Sequence, residues 1–187
     1  MFQRKCMLVG TTAAAAAALA GFAAGVAGSA SAQAPAAPRA AGEIINSEGQ
    51  AIGSVNVAQL ENGLQIIATA ENLPAGVHAF HIHETGRCDP PDFQSAGGHF
   101  NSDDSRHGFH AEGGPHAGDL PNVHIGADGV LAVEFVTDRL TLEEGDAAIL
   151  DDDGSALVIH EGADDYVTDP AGEAGGRIAC AVIERQQ

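Results

Sequence analysis

From residue 42 onwards, short apolar runs with alternating polar positions are separated by turn residues. The alternation is clear over 52–57 and 64–68, and Asn62-Gly63 between them is typical of a β-hairpin turn. Further strands are predicted over 78–83, 130–136, 147–150, 156–160 and 177–183. Because no long stretch after the first 32 residues has helical periodicity, the pattern predicts an all-β fold, an antiparallel sandwich or barrel.

Residues 84–126 interrupt this rhythm with many glycines and prolines and a high density of histidine and aspartate. A loop of this length inside a compact domain is usually functional. Little apolar burial is available to keep it ordered, and bound metal ions would provide that order.

The first 32 residues have the pattern of an export signal. Arg4 and Lys5 precede an uncharged, alanine-rich run over 7–26, and Ala30-Ser31-Ala32 matches the small-residue pattern of a cleavage site. We therefore predict a signal peptide over 1–32, a flexible linker over 33–41 and one domain over 42–187. Retention of the leader as a membrane anchor is the alternative.

Export has consequences for the cysteines and for the charge. Cys88 and Cys180 remain after cleavage, and an even pair in an oxidising compartment suggests one disulfide, with two buried free thiols as the alternative. The net charge is −18, and loss of the two basic leader residues makes it −20. This acidity argues against nucleic acid or an anionic membrane as a partner.

Candidate metal ligands occur on a predicted strand and in the long loop. His81 and His83 lie two residues apart on a strand, so both imidazoles point to one face. The loop adds three histidines and a carboxylate, a standard tetrahedral zinc set: His99, His107, His116 and Asp119. His160 ends a later apolar run and could complete a second set with the strand pair. A solvated, histidine-rich loop is the alternative.

Several separated motifs carry a family resemblance. They are His78-Ala79-Phe80-His81-Ile82-His83-Glu84, Gly97-Gly98-His99-Phe100-Asn101, Gly118-Asp119-Leu120, Val158-Ile159-His160-Glu161 and Gly175-Gly176-Arg177-Ile178-Ala179-Cys180. Together with His107 and His116, and in this order, they resemble the copper–zinc superoxide dismutases from about Ile44 to Ile183. That resemblance implies an eight-stranded Greek-key barrel with a long metal-binding loop and a short electrostatic loop.

The resemblance also implies a role for each site residue and one copper and one zinc ion per chain. The implied copper ligands are His81, His83, His99 and His160. The implied zinc ligands are His99, His107, His116 and Asp119, so that His99 bridges the two ions. Asp164 would orient ligands from outside, Cys88 and Cys180 would form the family disulfide, and Arg177 would attract superoxide as a catalytic residue beside His99.

The implied activity is conversion of superoxide to dioxygen and hydrogen peroxide by alternating Cu(II) and Cu(I), in the periplasm or outside the cell. A non-catalytic copper-binding or copper-storage module on the same barrel is the main alternative. A homodimer is left open, and no stable membrane association is expected after cleavage. The segment 161–176 contains no lysine, unlike animal and plant members, so we expect steering of superoxide to depend mainly on Arg177 and the metals.

Overall fold

The computed structural model describes residues 39–186, so the predicted leader and most of the predicted linker lie outside the described residues. The described residues form nine strands: β1 (Arg39–Asn46), β2 (Ala51–Leu60), β3 (Gly63–Ala70), β4 (Gly76–His78), β5 (Phe80–His83), β6 (Val123–Ile125), β7 (Leu131–Thr137), β8 (Ser155–His160) and β9 (Arg177–Arg185). Within this range the only helical element is a 3-10 turn at Gln94–Ala96, and no helix could cross a membrane. The all-β prediction is confirmed.

Seven strands form one curled antiparallel sheet in the order β5-β8-β9-β1-β2-β3-β7, and β4 pairs with β6 in a small second sheet. The chain passes from β7 at one edge to β8, the second strand from the other edge. Such a long return connection is typical of Greek-key topology. It brings β8 directly beside β5, the strand that carries the paired histidines.

Strands β5 and β8 are buried on both faces. Phe80 and Ile82 on β5, with Leu157 and Ile159 on β8, enter the main core. The residues that alternate with them face the other way, and this second face is covered by the long loop, which contributes the buried ring of Phe93. His81 and His83 therefore lie between the sheet and the loop, shielded from water.

The structure departs from the predicted elements in four places. Strand β1 begins at Arg39, which pairs with Ala58, so the sheet starts three residues before the predicted domain boundary. The predicted strand 78–83 is divided at Ala79 into β4 and β5, and β6 lies within the segment 84–126, for which no strand was predicted. The predicted strand 147–150 is wrong. Ala148 and Ile149 are buried in a loop that is joined to the preceding segment by an isolated bridge between Thr141 and Ala148.

Candidate metal centre

Four histidines from two strands and the long loop form the first ligand set: His81, His83, His99 and His160. All four are buried, and one nitrogen from each lies within 4.8 Å of the others. The Nε2 atoms of His83 and His160 are 3.4 Å apart. A backbone bridge between His83 and His99 holds the loop against β5. Because β5 and β8 are neighbours in the sheet, residues 77 positions apart meet at one point.

The second set is arranged around Asp119. Its Oδ1 lies 2.9 Å from Nδ1 of His99, 3.1 Å from Nδ1 of His107 and 3.4 Å from Nδ1 of His116. The Nδ1 atoms of His99 and His116 are 3.5 Å apart. A tetrahedral zinc ion with bonds of about 2.0–2.1 Å needs ligand atoms about 3.3–3.4 Å apart. The four donor atoms therefore fit zinc.

His99 belongs to both sets through different nitrogens. Its Nδ1 faces Asp119, while Nε2 is buried and has no hydrogen-bond partner among the residues that the structure describes. Nδ1 of His81, whose ring centroid is 4.0 Å from that of His99, is equally buried and unpartnered. Buried polar atoms without partners are costly, and a cation held by the first set would satisfy both nitrogens. Copper accepts imidazole ligands readily.

Asp164 connects the two sets by hydrogen bonds to one histidine of each. Its Oδ2 accepts from Nε2 of His81 and its Oδ1 from Nε2 of His107, each at 2.9 Å. The backbone N–H of Tyr166 also donates to Oδ1, at 2.6 Å. Burial raises the pKa of this carboxyl, but the hydrogen bonds from His107 and His81 outweigh burial and lower it below its usual range. An ionised Asp164 fixes the orientation of both rings.

The ring pKa values differ widely within the centre of the metal-free protein. Burial, followed by the charge of His81, lowers the pKa of His160 to about 3. Burial also lowers the pKa of His99 to about 4, in spite of its hydrogen bond to Asp119. For His107, burial is outweighed by hydrogen bonds to Asp119 and Asp164, and its pKa rises to about 9. The first two rings are therefore neutral at pH 7, while His107 holds an extra proton.

Arg177 lies beside the first set in a cavity of about 430 Å³, which His83, His99 and His160 also line. Its Nη1 donates to the Phe93 carbonyl and its Nη2 to the Gly97 carbonyl, both at 2.7 Å. The Gly97 oxygen also accepts from Nδ1 of His83 at 3.0 Å. One carbonyl therefore fixes both the guanidinium and a metal-site ring.

The rim of the same cavity is acidic. The side chains of Glu84 and Asp104 line it, and Arg177 is the only lysine or arginine among its described lining residues. An anion entering the cavity meets one positive side chain and two negative ones before any metal charge is counted.

The disulfide prediction is confirmed: Cys88 and Cys180 are bonded, with their Cα atoms 5.7 Å apart. The bond ties the start of the long loop to β9, three residues beyond Arg177. It therefore secures the loop segment whose carbonyls at Phe93 and Gly97 hold the guanidinium.

Two contributors were not found from the sequence. Asn122 donates from its side chain to the Asp164 carbonyl at 2.8 Å and accepts from the Asp164 N–H at 2.8 Å. Tyr166, in a left-handed conformation, turns its N–H to the Asp164 carboxylate. The short spacing from Asp164 to Tyr166 suits an Asx-type turn and could have indicated the second contact. No local sequence pattern indicates the contact between Asn122 and Asp164.

Comparison with known proteins identifies the family. The model of the copper/zinc superoxide dismutases matches residues 51–183. The chain belongs to the copper/zinc superoxide dismutase family. It is 47% identical over 144 residues to "Superoxide dismutase [Cu-Zn] 1" of Aquifex aeolicus, covering 76% of this chain and 85% of that protein. A curated superoxide dismutase [Cu-Zn] of Caulobacter vibrioides is 39% identical, over 73% of this chain and 80% of that protein.

Solved structures of family members agree. The crystal structure of a superoxide dismutase-like protein from Bacillus subtilis has a TM-score of 0.73 and 44% identity, covering 75% of this chain and 95% of that one. The Cu/Zn superoxide dismutase from Brucella abortus has a TM-score of 0.64 and 29% identity, covering 78% and 99%. The predicted family, Greek-key barrel, superoxide dismutase activity and copper and zinc cofactors are confirmed.

Proposed function

We propose that this copper/zinc superoxide dismutase performs its reaction at the two ligand sets described above. Copper is assigned to His81, His83, His99 and His160. Zinc is assigned to His99, His107, His116 and Asp119. The observation that carries the assignment is that the two nitrogens of one buried imidazole, His99, face two different donor sets.

The overall reaction is 2 O₂⁻ + 2 H⁺ → O₂ + H₂O₂. Copper, when bound, supplies the one-electron chemistry that oxidises one superoxide and reduces the other. Arg177 attracts the anion into the cavity and orients it beside the rings of His83 and His160. With Nδ1 of His99 directed at Asp119, Nε2 is the atom of that ring that can hold a proton and give it up on the cavity side.

The alternative of a non-catalytic copper-binding module is not favoured. All seven ligand positions are occupied by metal-binding side chains that converge in the fold. Arg177, whose charge serves an anionic substrate and not a stored cation, lines the same cavity.

The location and assembly are also proposed. Residues 1–32 act as an export signal cleaved before Gln33, and the mature enzyme works in the periplasm or outside the cell. The Cys88–Cys180 disulfide supports an oxidising compartment. N-terminal sequencing of the exported protein tests the cleavage site, and light scattering of the mature enzyme tests the homodimer.

The decisive experiment combines metal analysis with a superoxide consumption assay on the mature protein. We expect about one copper and one zinc per chain and rapid consumption of superoxide. His99→Ala should bind both ions more weakly than wild type, whereas His110→Ala, an exposed loop histidine outside both sets, should bind them normally. Full metal loading without superoxide consumption would refute the proposal.

A further inference from the structure

Arg139, two residues after β7 (Leu131–Thr137), contacts the long loop at two points. Its Nη2 donates to the backbone carbonyl of Asp119 at 2.5 Å. The carbon of its guanidinium lies 5.2 Å from the centre of the Phe109 ring, within the range of a cation–π contact. The side chain of Arg139, just after the end of β7, therefore contacts two loop residues that are ten positions apart, Phe109 and Asp119.

The hydrogen bond from Arg139 affects the zinc set through the backbone of Asp119. That residue is fully buried, so its carbonyl is shielded from water. Its N–H donates to the His116 carbonyl at 3.2 Å, and its carbonyl accepts from Arg139. The backbone of Asp119 is thus held on both sides of its Cα atom, and its position sets where the Asp119 carboxylate meets the three histidine Nδ1 atoms.

The second contact bears on the same set through Phe109, which follows His107 by two residues. The Phe109 ring packs against Tyr166 with the centroids 5.4 Å apart. Tyr166 in turn donates its N–H to Asp164, the carboxylate that accepts from Nε2 of His107. The guanidinium therefore also contacts the loop segment that carries His107.

We propose that Arg139 is a positioning residue for the zinc set, holding Asp119 by a hydrogen bond and the His107 segment by stacking. The inference rests on the proposed assignment of zinc to these ligands. Arginine suits the task because its planar group donates in its plane and stacks through its face, which the ammonium of lysine cannot do. A donor that comes from the barrel gives the loop a rigid reference.

The test measures zinc affinity and the visible spectrum of cobalt(II) substituted for zinc, using the full mature chain. Arg139→Met should raise the zinc Kd about 10-fold or more, the usual effect of losing an outer-shell contact, and should alter the cobalt spectrum. Arg139→Lys and Phe109→Leu, which each keep part of the interaction, should give intermediate effects. The matched control is Arg185→Met. It removes an exposed arginine at the end of β9 that pairs with Glu143, away from the zinc set.

Asp119→Asn separates the two levels of inference. If this variant binds zinc as wild type does, the assignment of the zinc set fails. A second outcome would overturn only the role of Arg139. In that outcome Asp119→Asn weakens zinc binding, but Arg139→Met and Phe109→Leu keep the wild-type Kd and cobalt spectrum. Unchanged circular dichroism must show that both of these variants are folded. Should Arg139→Met not fold, the comparison of Arg139→Lys and Phe109→Leu with wild type decides in the same way.

Discussion

Gly172 lies so close to Asp164 that a Cβ atom at position 172 would fall 1.9 Å from Oδ1 of the carboxylate. The same atom would lie 2.8 Å from Nε2 of His107. Any side chain at this position must displace the carboxylate that connects the two ligand sets. The segment 161–176 therefore contributes to the metal centre by supplying Asp164 and, at Gly172, by leaving room for its carboxylate.

Gly172→Ala should weaken metal binding about 10-fold, because the outer-shell contacts to His81 and His107 are lost. The substitution also strains a backbone with φ of 64°. Gly145→Ala is the matched control, since Gly145 has φ of 79° and no atom within 4 Å of a built Cβ. Equal metal affinities of the two variants, measured by competition with a chelator, would contradict the role of this close contact.

Arg177→Ala should lower kcat/KM about 10-fold in low-salt buffer, because the cavity loses its single positive side chain. Arg177→Lys keeps the charge and should retain more activity than the alanine variant. Arg87→Ala, which removes an exposed arginine paired with Asp89, is the control and should behave as wild type. An unchanged rate for Arg177→Ala would show that the metals alone capture superoxide.

Asp104→Asn should raise kcat/KM by about twofold at low ionic strength, because it removes one of the negative charges at the cavity mouth. The difference should disappear near 1 M salt, where the screening length is about 3 Å. Asp128→Asn removes the same charge from an exposed turn that does not line the cavity. A gain of equal size in both variants would attribute the effect to net charge instead of the local field.

Zinc binding to the metal-free protein at pH 7 should release about one proton. His107, with its pKa raised to about 9, is protonated there and must free Nδ1 for the ion. Affinity should therefore increase with pH until about pH 9. Titration calorimetry in buffers of different ionisation enthalpy measures the proton count, which should fall towards zero above pH 9.

The same raised pKa links pH to the stability of the metal-free protein. The folded-state pKa of His107 exceeds the ordinary value of 6.5, so protonation of His107 stabilises the folded protein. Its contribution to the free energy of unfolding is complete below about pH 6.5 and is lost as pH rises through 9, so the protein should be less stable at high pH. Urea unfolding of metal-free protein at pH 6 and pH 9.5 checks the sign. His107→Gln should flatten this part of the profile.

Replacing both Cys88 and Cys180 by alanine should lower the free energy of unfolding of the metal-free protein by about 2–5 kcal/mol, since the bond closes a long loop. Urea unfolding measures the change, and reduced wild type should match the variant. A variant as stable as oxidised wild type would mean that strand pairing alone secures the loop.

The paired histidines of β5 and the order of the motifs sufficed to predict the barrel and the family. Hydrophobic pattern failed at residues 147–150 because it reports burial and not hydrogen bonding: Ile149 is fully buried, yet it lies in a loop. Strand β1 was not predicted at all: its first residues were assigned to the linker, because Ala40 and Ala41 give almost no alternation and pair with β2 only in the folded sheet.

The centre was predicted less completely outside its ligands. Metal ligands are chemically distinctive, so His81 or Asp119 stands out in a sequence. Arg139 and Asn122 are common surface residue types, and their contacts arise only when distant segments of the chain pack together. Contacts to backbone carbonyls and N–H groups have no signature in local composition.

The distance along the chain between His81 and Asp164 has a consequence for biogenesis. The copper set needs β8 beside β5, and the carboxylate that steadies it is made 83 residues after the first ligand. The chain must therefore be synthesised through Asp164 before the complete centre can form. The four proposed zinc ligands, in contrast, all lie between His99 and Asp119, so the two halves of the centre depend on very different lengths of chain.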